Sequence, residues 1–198
     1  MSGLANLFEN TLAYRLLQAP FAEDKLAPLW RHVDAAKVRR VFDVGCGPGT
    51  NAAHFSSADY VGIDLNPGYI ESARRRFRGT FEVVDVVKDP LPARENDLVL
   101  VNSLMHHLDD GAVSALLRKL RATLAPDGRL HVLDLVLPDE RGIARTLARL
   151  DRGDFARPVA EWRRLLGAEY DEVVFERYPL RFLGATLWNM FYFQGKPR

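Results

Sequence analysis

Residues 38–49, VRRVFDVGCGPG, read as a strand that runs into a tight turn. Val41, Phe42 and Val44 form an apolar run, and Gly45, Gly47 and Gly49 follow at alternate positions. Glycine has no Cβ, so such a turn reaches positive φ and lets a ligand lie against the backbone amides. One acid, Asp43, stands among the apolar residues. A carboxylate carried into a sheet interior needs a donor or a cation, because an unpaired buried charge is heavily penalised; a ligand ammonium would supply one.

Spacing separates two kinds of nucleotide turn. A dinucleotide fingerprint sets its third glycine five residues after the first. Here the third glycine comes four after the first, Thr50 holds the fifth position, and Asp43 interrupts the strand two residues before the turn. A nicotinamide-dependent (NAD(P)) oxidoreductase therefore remains an alternative without its own fingerprint. The stretch VFDVGCGPGT resembles the first motif of the class I, Rossmann-like S-adenosylmethionine-dependent methyltransferases, small-molecule type. That resemblance implies S-adenosyl-L-methionine as cofactor, with Asp43, Gly45, Gly47 and Gly49 at its amino-acid end. Cys46, inside the turn, has no adjacent base to lower its pKa and reads as a small tolerated residue.

Downstream residues continue the pattern. A short helix is expected over 50–55, its free amides turned toward whatever anion the turn holds. A second strand, 60–63, is closed by Asp64, and Asn66-Pro67 opens a helix with proline near its first turn. An acid at the end of a second strand can accept from both hydroxyls of a ribose. The resemblance implies that role for Asp64, with Leu65 beside it. A third strand, 80–84, ends at Asp85, which the resemblance assigns to the adenine amino group, with Val86 as an apolar wall. Residues 97–101 form a nearly all-apolar strand of the buried parallel kind. Asn102 follows it as the fourth landmark in family order. The helix after Asp109-Asp110 carries Val113, Leu116, Leu117, Leu120 and Leu124 on one face, and 128–134 is a fifth strand.

This alternation predicts right-handed crossovers and a doubly wound α/β sheet. Strands at 172–178 and about 187–194 would close it. The resemblance implies that the whole is a Rossmann-like seven-stranded sheet, mostly parallel, with an antiparallel C-terminal edge. Ahead of it, Leu4, Leu7, Phe8, Leu12 and Leu16 mark one helix and Leu26, Leu29, Trp30 and Val33 another, with Pro20 and Pro28 between or at their breaks. The organisation that the resemblance implies is one methyltransferase domain over 1–198: a helical cap (1–36), a cofactor-binding core (37–137), and acceptor-side helices and closing strands (138–198). Trp188, Phe191, Tyr192 and Phe193 read as core. The arginines of 74–78 read as a solvated helix end. Arg141, Arg145 and Arg149 read as the outer face of a helix whose inner face is Ile143, Leu147 and Leu150.

Methyl transfer proceeds by in-line attack on a sulfonium methyl, so alignment and a dry pocket carry much of the acceleration. A base is needed only when the acceptor must lose a proton. His106, His107 and Asp134 are the catalytic candidates, because the fourth and fifth strands are neighbours. If the backbone stays extended past Asn102, residues 104 and 106 share a face and His107 turns away. His106 is then the favoured general base, its tautomer set by Asp134; capping the next helix is the alternative role of the pair.

Composition narrows the partners. A chain of 198 residues with net charge +1 fits one domain without a broad nucleic-acid footprint. Asn102-Ser103-Leu104-Met105 also lacks the Pro-Pro-aromatic motif of nucleic-acid amino methyltransferases. The expected acceptor is a small molecule, methylated on a hydroxyl oxygen, with no metal. No apolar run reaches membrane-span length. The single cysteine and the absence of a signal-peptide pattern suggest a cytoplasmic location. A non-catalytic methyltransferase-like subunit is the remaining alternative. Oligomeric state is not legible in the pattern.

Overall fold

The computed structural model describes residues 21–92, 94–140, 142–150, 154–182 and 184–198. The first expected helix and Pro20 lie outside them, as does Arg141. The sheet follows the apolar runs. Its strands are β1 (Arg40–Val44), β2 (Asp59–Asp64), β3 (Thr80–Val83), β4 (Asn96–Asn102), β5 (Leu124–Leu135), β6 (Tyr170–Phe182) and β7 (Ala185–Pro197). They form one seven-stranded sheet in the order β3-β2-β1-β4-β5-β7-β6. The five N-terminal strands pair in parallel. β7 pairs antiparallel with both β5 and β6. The sequence reversal lies between β1 and β4, where the chain leaves one half of the sheet and starts the other. In open α/β sheets ligands bind outside the strand ends at such a switch.

Helices cover both faces. On one side α3 (Asp110–Arg121) and α5 (Val159–Gly167) bury Val113, Leu116, Leu117, Leu120, Trp162, Leu165 and Leu166 against Val99, Val101, Val132 and Phe191. On the other, α1 (Ala22–His32) and α2 (Pro67–Arg76) bury Leu26, Leu29, Ile70 and Ala73 against Val41, Leu100 and Leu133. α4 (Ile143–Leu150) adds Ala148 to a smaller cluster with Leu135, Trp188 and Met190. Helices of these lengths are marginal alone; burial of an apolar stripe holds each one. Asn66 caps α2 by accepting from the Gly68 and Tyr69 amides, with Pro67 in the first turn, as its sequence predicts.

Several sequence expectations change here. Pro28 does not break a helix; it lies inside α1, which continues because Leu26 and Leu29 on either side of it are buried. Residues 50–55 form a 3₁₀ helix, Thr50–Phe55, too short for a macrodipole argument. The closing strands are longer than 172–178 and 187–194, since the β6–β7 ladder runs from Tyr170↔Pro197 to Phe182↔Ala185. Trp188, Phe191, Tyr192 and Phe193 are core as expected. The arginines of 74–78 are exposed, as expected of a solvated helix end, while Arg74 also donates twice to the Phe81 carbonyl, Arg75 pairs with Glu71, and Arg76 lies over the Phe77 ring. Arg145 is half-buried and donates to the Pro138 and Asp139 carbonyls, so it is no solvated outer residue.

Candidate functional site

The glycine turn takes the strained geometry its composition allows. Gly45, Gly47 and Gly49 all have positive φ, at 75°, 54° and 79°. Their surroundings differ. A Cβ on Gly49 would strike Ala73 Cβ at 2.7 Å, so this position serves the packing of the turn on α2. A Cβ on Gly47 would meet nothing within 4 Å, which leaves open space over the turn. The amides are not bare. Gly45 and Cys46 both donate to the Ile63 carbonyl, at 2.8 and 2.9 Å, and Gly47 donates to Asp64 Oδ2 at 2.9 Å. The expectation of free amides under a ligand fails because the neighbouring strand end takes them. Burial pushes the Cys46 thiol up, with Asp43 and Asp64 adding to it, which agrees with a small inert residue.

Asp43 is fully buried beneath this turn. Its Oδ2 accepts from the Tyr60 hydroxyl and, at 3.0 Å, from Asn51 Nδ2. Among the described residues its Oδ1 has no hydrogen-bond partner. Burial raises the carboxyl to about 6, against the lowering effect of the Tyr60 and Asn51 bonds. A carboxylate with one orphaned oxygen under an open glycine turn fits the cationic amino-acid end of S-adenosylmethionine. Tyr60 and Asn51 carried no sequence signal: one is a strand residue among apolar neighbours, the other a polar residue in a short turn.

At the end of β2, Asp64 is half-buried with each oxygen accepting one amide, Gly47 on Oδ2 and Asn66 on Oδ1 at 2.8 Å. An ionised carboxylate has about four acceptor directions, so two remain for a diol. Leu65 beside it is 64% exposed, an apolar surface uncovered at the rim. Asp85 stands one residue beyond Val84, because β3 stops at Val83. Its Oδ1 accepts from the Val87 and Lys88 amides and its Oδ2 pairs with Lys88 Nζ at 3.0 Å. Those contacts, the Lys88 hydrogen bond first, hold its carboxyl below the usual range. Val86 is buried in the core under this turn, and Lys119 of α3 clasps the Val86, Val87 and Asp89 carbonyls at 2.9–3.1 Å. The sequence did not mark Lys119 as a tie on this turn.

Past β4 the backbone does not stay extended. Asn102 Oδ1 accepts from the Ser103 hydroxyl, Ser103 has φ 54°, and Met105–His107 is a 3₁₀ turn. The assumption behind the face assignment is therefore wrong, though its outcome stands: His106 is buried and His107 exposed, their rings 4.2 Å apart. His106 Nδ1 lies 2.5 Å from Asp134 Oδ1. Asp134, at the end of β5, also accepts from the Leu135 amide at 2.7 Å and the Met105 amide at 2.8 Å. Burial alone would raise this carboxyl, but the His106 ring and these amides hold it below its ordinary value. Arg157, buried and unmarked by the sequence, donates to the Met105, Leu108 and Phe155 carbonyls and pairs with Asp110 at 2.8 Å, locking both ends of the His106 turn to α3. From α1, Lys25 Nζ reaches Ser103 Oγ at 3.5 Å. No cluster of three or more metal-ligating side chains occurs among the described residues.

The family model described as "Methyltransferase domain" matches residues 41–128, from β1 into β5. A trans-aconitate 2-methyltransferase of Methylobacterium nodulans is 37% identical over 121 residues, covering 57% of this chain and 45% of that protein. One from Variovorax paradoxus is 31% identical over 159 residues, covering 72% of this chain and 59% of the relative. The chain thus spans about half the length of the curated relatives it matches. Among solved structures, the N-methyltransferase NodS from Bradyrhizobium japonicum in complex with S-adenosyl-L-homocysteine superposes with a TM-score of 0.74 at 17% identity, over 98% of this chain and 96% of NodS. That likeness concerns the fold. Strand order, glycine turn and sequence matches agree: over residues 41–128 this chain is similar to methyltransferase domains, and its sheet has the fold of the solved methyltransferase NodS.

Proposed function

We propose that this protein transfers a methyl group from S-adenosylmethionine to an oxygen of a small-molecule acceptor. The observation that carries the reading is the buried Asp43, whose Oδ1 has no partner among the described residues, beneath a glycine turn with open space at Gly47. Asp43 and the turn would hold the amino-acid end of the cofactor, Asp64 the ribose, Leu65, Asp85 and Val86 the adenine side, and Asn102 the rim between them. Bound S-adenosylmethionine supplies an electrophilic methyl group on a sulfonium. The chain's own work is then to bind, align and exclude water. Trans-aconitate 2-methyltransferases among the relatives support a small acceptor.

If that acceptor is a hydroxyl, His106 takes its proton. The contact of Nδ1 with the Asp134 carboxylate supports a tautomer with the lone pair on Nε2, and the same carboxylate would stabilise the cation formed. A second reading keeps the pair structural, favoured by the 3% exposure of His106 and by the two amides that Asp134 also binds. The two readings diverge in pH dependence. Turnover of a hydroxyl acceptor falls on the acid side when an imidazole is the base, and stays flat when His106 is only a brace.

Calorimetric titration with S-adenosylhomocysteine tests the main claim. Saturable binding that is lost in Asp64→Ala is expected. Absence of binding to the intact protein would overturn the assignment.

A further inference from the structure

A charged cavity of about 390 Å³ lies beyond the end of β5 and touches none of the cofactor residues named above. One wall is the outer part of the β6–β7 hairpin, with Arg177, Arg181, Thr186 and Asn189. The facing wall is the segment after β5, with Val136, Asp139 and Glu140. Strand register fixes its relation to the His106–Asp134 pair. Asp134 is opposite Phe191, and Phe191 is opposite Arg177, so the three share one face of the sheet. Two residues beyond Asp134, just past the end of β5, the Val136 amide donates to the Asn189 carbonyl at 2.8 Å. At about 3.3 Å per residue and 4.8 Å per strand, the cavity begins roughly 7–10 Å from Asp134, a span that one small metabolite covers.

The arginines are unusual for this part of the chain. Arg157, Arg163, Arg164 and Arg198 each face a carboxylate. Arg177 and Arg181, four residues apart on β6, have no ion pair among the described residues, although both line the same cavity. Two guanidiniums lining one cavity with a Thr hydroxyl and an Asn amide suit a carboxylate, which accepts from planar donors in a bidentate way. Asp139 and Glu140 opposite them disfavour a second carboxylate on their side and accept from hydroxyls instead.

We propose that this cavity is the anchoring subsite for the acceptor, and that the acceptor is a hydroxylated carboxylic acid whose carboxylate is held by Arg177 and Arg181. The proposal rests on the methyltransferase reading and extends it to the substrate class. Its test separates the two. Calorimetry on protein saturated with S-adenosylhomocysteine is run with lactate, malate, mandelate and trans-aconitate up to about 5 mM, above common KM values, with methyl mandelate as the uncharged control. At least one hydroxy acid is expected to bind and the ester is not. The double variant Arg177→Gln, Arg181→Gln should bind that acid at least tenfold more weakly, with unchanged affinity for S-adenosylhomocysteine, and Arg177→Lys, Arg181→Lys should recover part of the loss. Equal binding of acid and ester, undiminished acid binding by the glutamine variant, or binding of no hydroxy acid by a protein that does bind S-adenosylhomocysteine overturns the proposal. Failure to bind S-adenosylhomocysteine at all removes the underlying reading instead, and the subsite with it.

Discussion

Replacing Asp43 by asparagine should make the ligand-free protein more stable and a worse cofactor binder. In the fold this carboxyl is fully buried, with two donors on one oxygen and no partner among the described residues on the other. Burial raises it from its ordinary 3.8 to about 6 in spite of those donors. Because the folded-state value lies above the unfolded one, the folded protein binds more protons between them, and stability falls as pH rises from about 4 through 6. At 1.36 kcal/mol per pH unit the displacement costs the fold about 3 kcal/mol at pH 8, and about half of that at pH 5. The introduced amide would keep an acceptor for Tyr60 and Asn51 and carry no charge. Urea unfolding followed by tryptophan fluorescence should therefore show D43N more stable by about 3 kcal/mol at pH 8, with the gain shrinking as pH falls. In calorimetry its affinity for S-adenosylhomocysteine should drop at least tenfold, since a ligand ammonium loses its counter-charge. A variant that is no more stable at pH 8, or whose advantage does not depend on pH, would refute the reasoning.

Three further outcomes test other parts of the site. His106→Ala should lower kcat on a hydroxyl acceptor by about 10²-fold or more while leaving S-adenosylhomocysteine affinity in place; unchanged kcat sinks the base assignment. Arg157→Met removes a donor from three carbonyls and leaves Asp110 to Arg164 alone, and should cost about 1–3 kcal/mol in urea denaturation, with lowered kcat, because the His106 turn loses its tie to α3. Asp134, held below its ordinary range, contributes stability above the unfolded carboxyl value that is lost as pH falls through the lower folded one. Wild-type protein should thus lose stability below about pH 4 more steeply than Asp134→Asn, and parallel acid limbs would contradict the buried pairing.

Much of the core was legible in local patterns. Apolar runs closed by Asp64 and by Asn102, and Asn66-Pro67 opening α2, are short-range signals, since strand, cap and turn preferences act over a few residues. Where the reading slipped, a longer-range partner had decided. Pro28 stays inside α1 because the helix is pressed onto the sheet. The turn amides are occupied because Ile63 and Asp64 arrive beside them from β2. The chain bends at Ser103, and His106 nonetheless points inward because Asp134 waits there from β5.

Sequence alone determined the class of fold and the set of acids and glycines at the rim, since periodicity and glycine spacing are properties of neighbouring residues. Tertiary structure alone decided who meets them: Tyr60 and Asn51 on Asp43, Lys119 under the Asp85 turn, Arg157 on the His106 turn, and Arg177 with Arg181 over one cavity. Each of those meetings joins residues from separate elements, and the distance between two side chains in space is set by strand order and register, which no local stretch of sequence encodes.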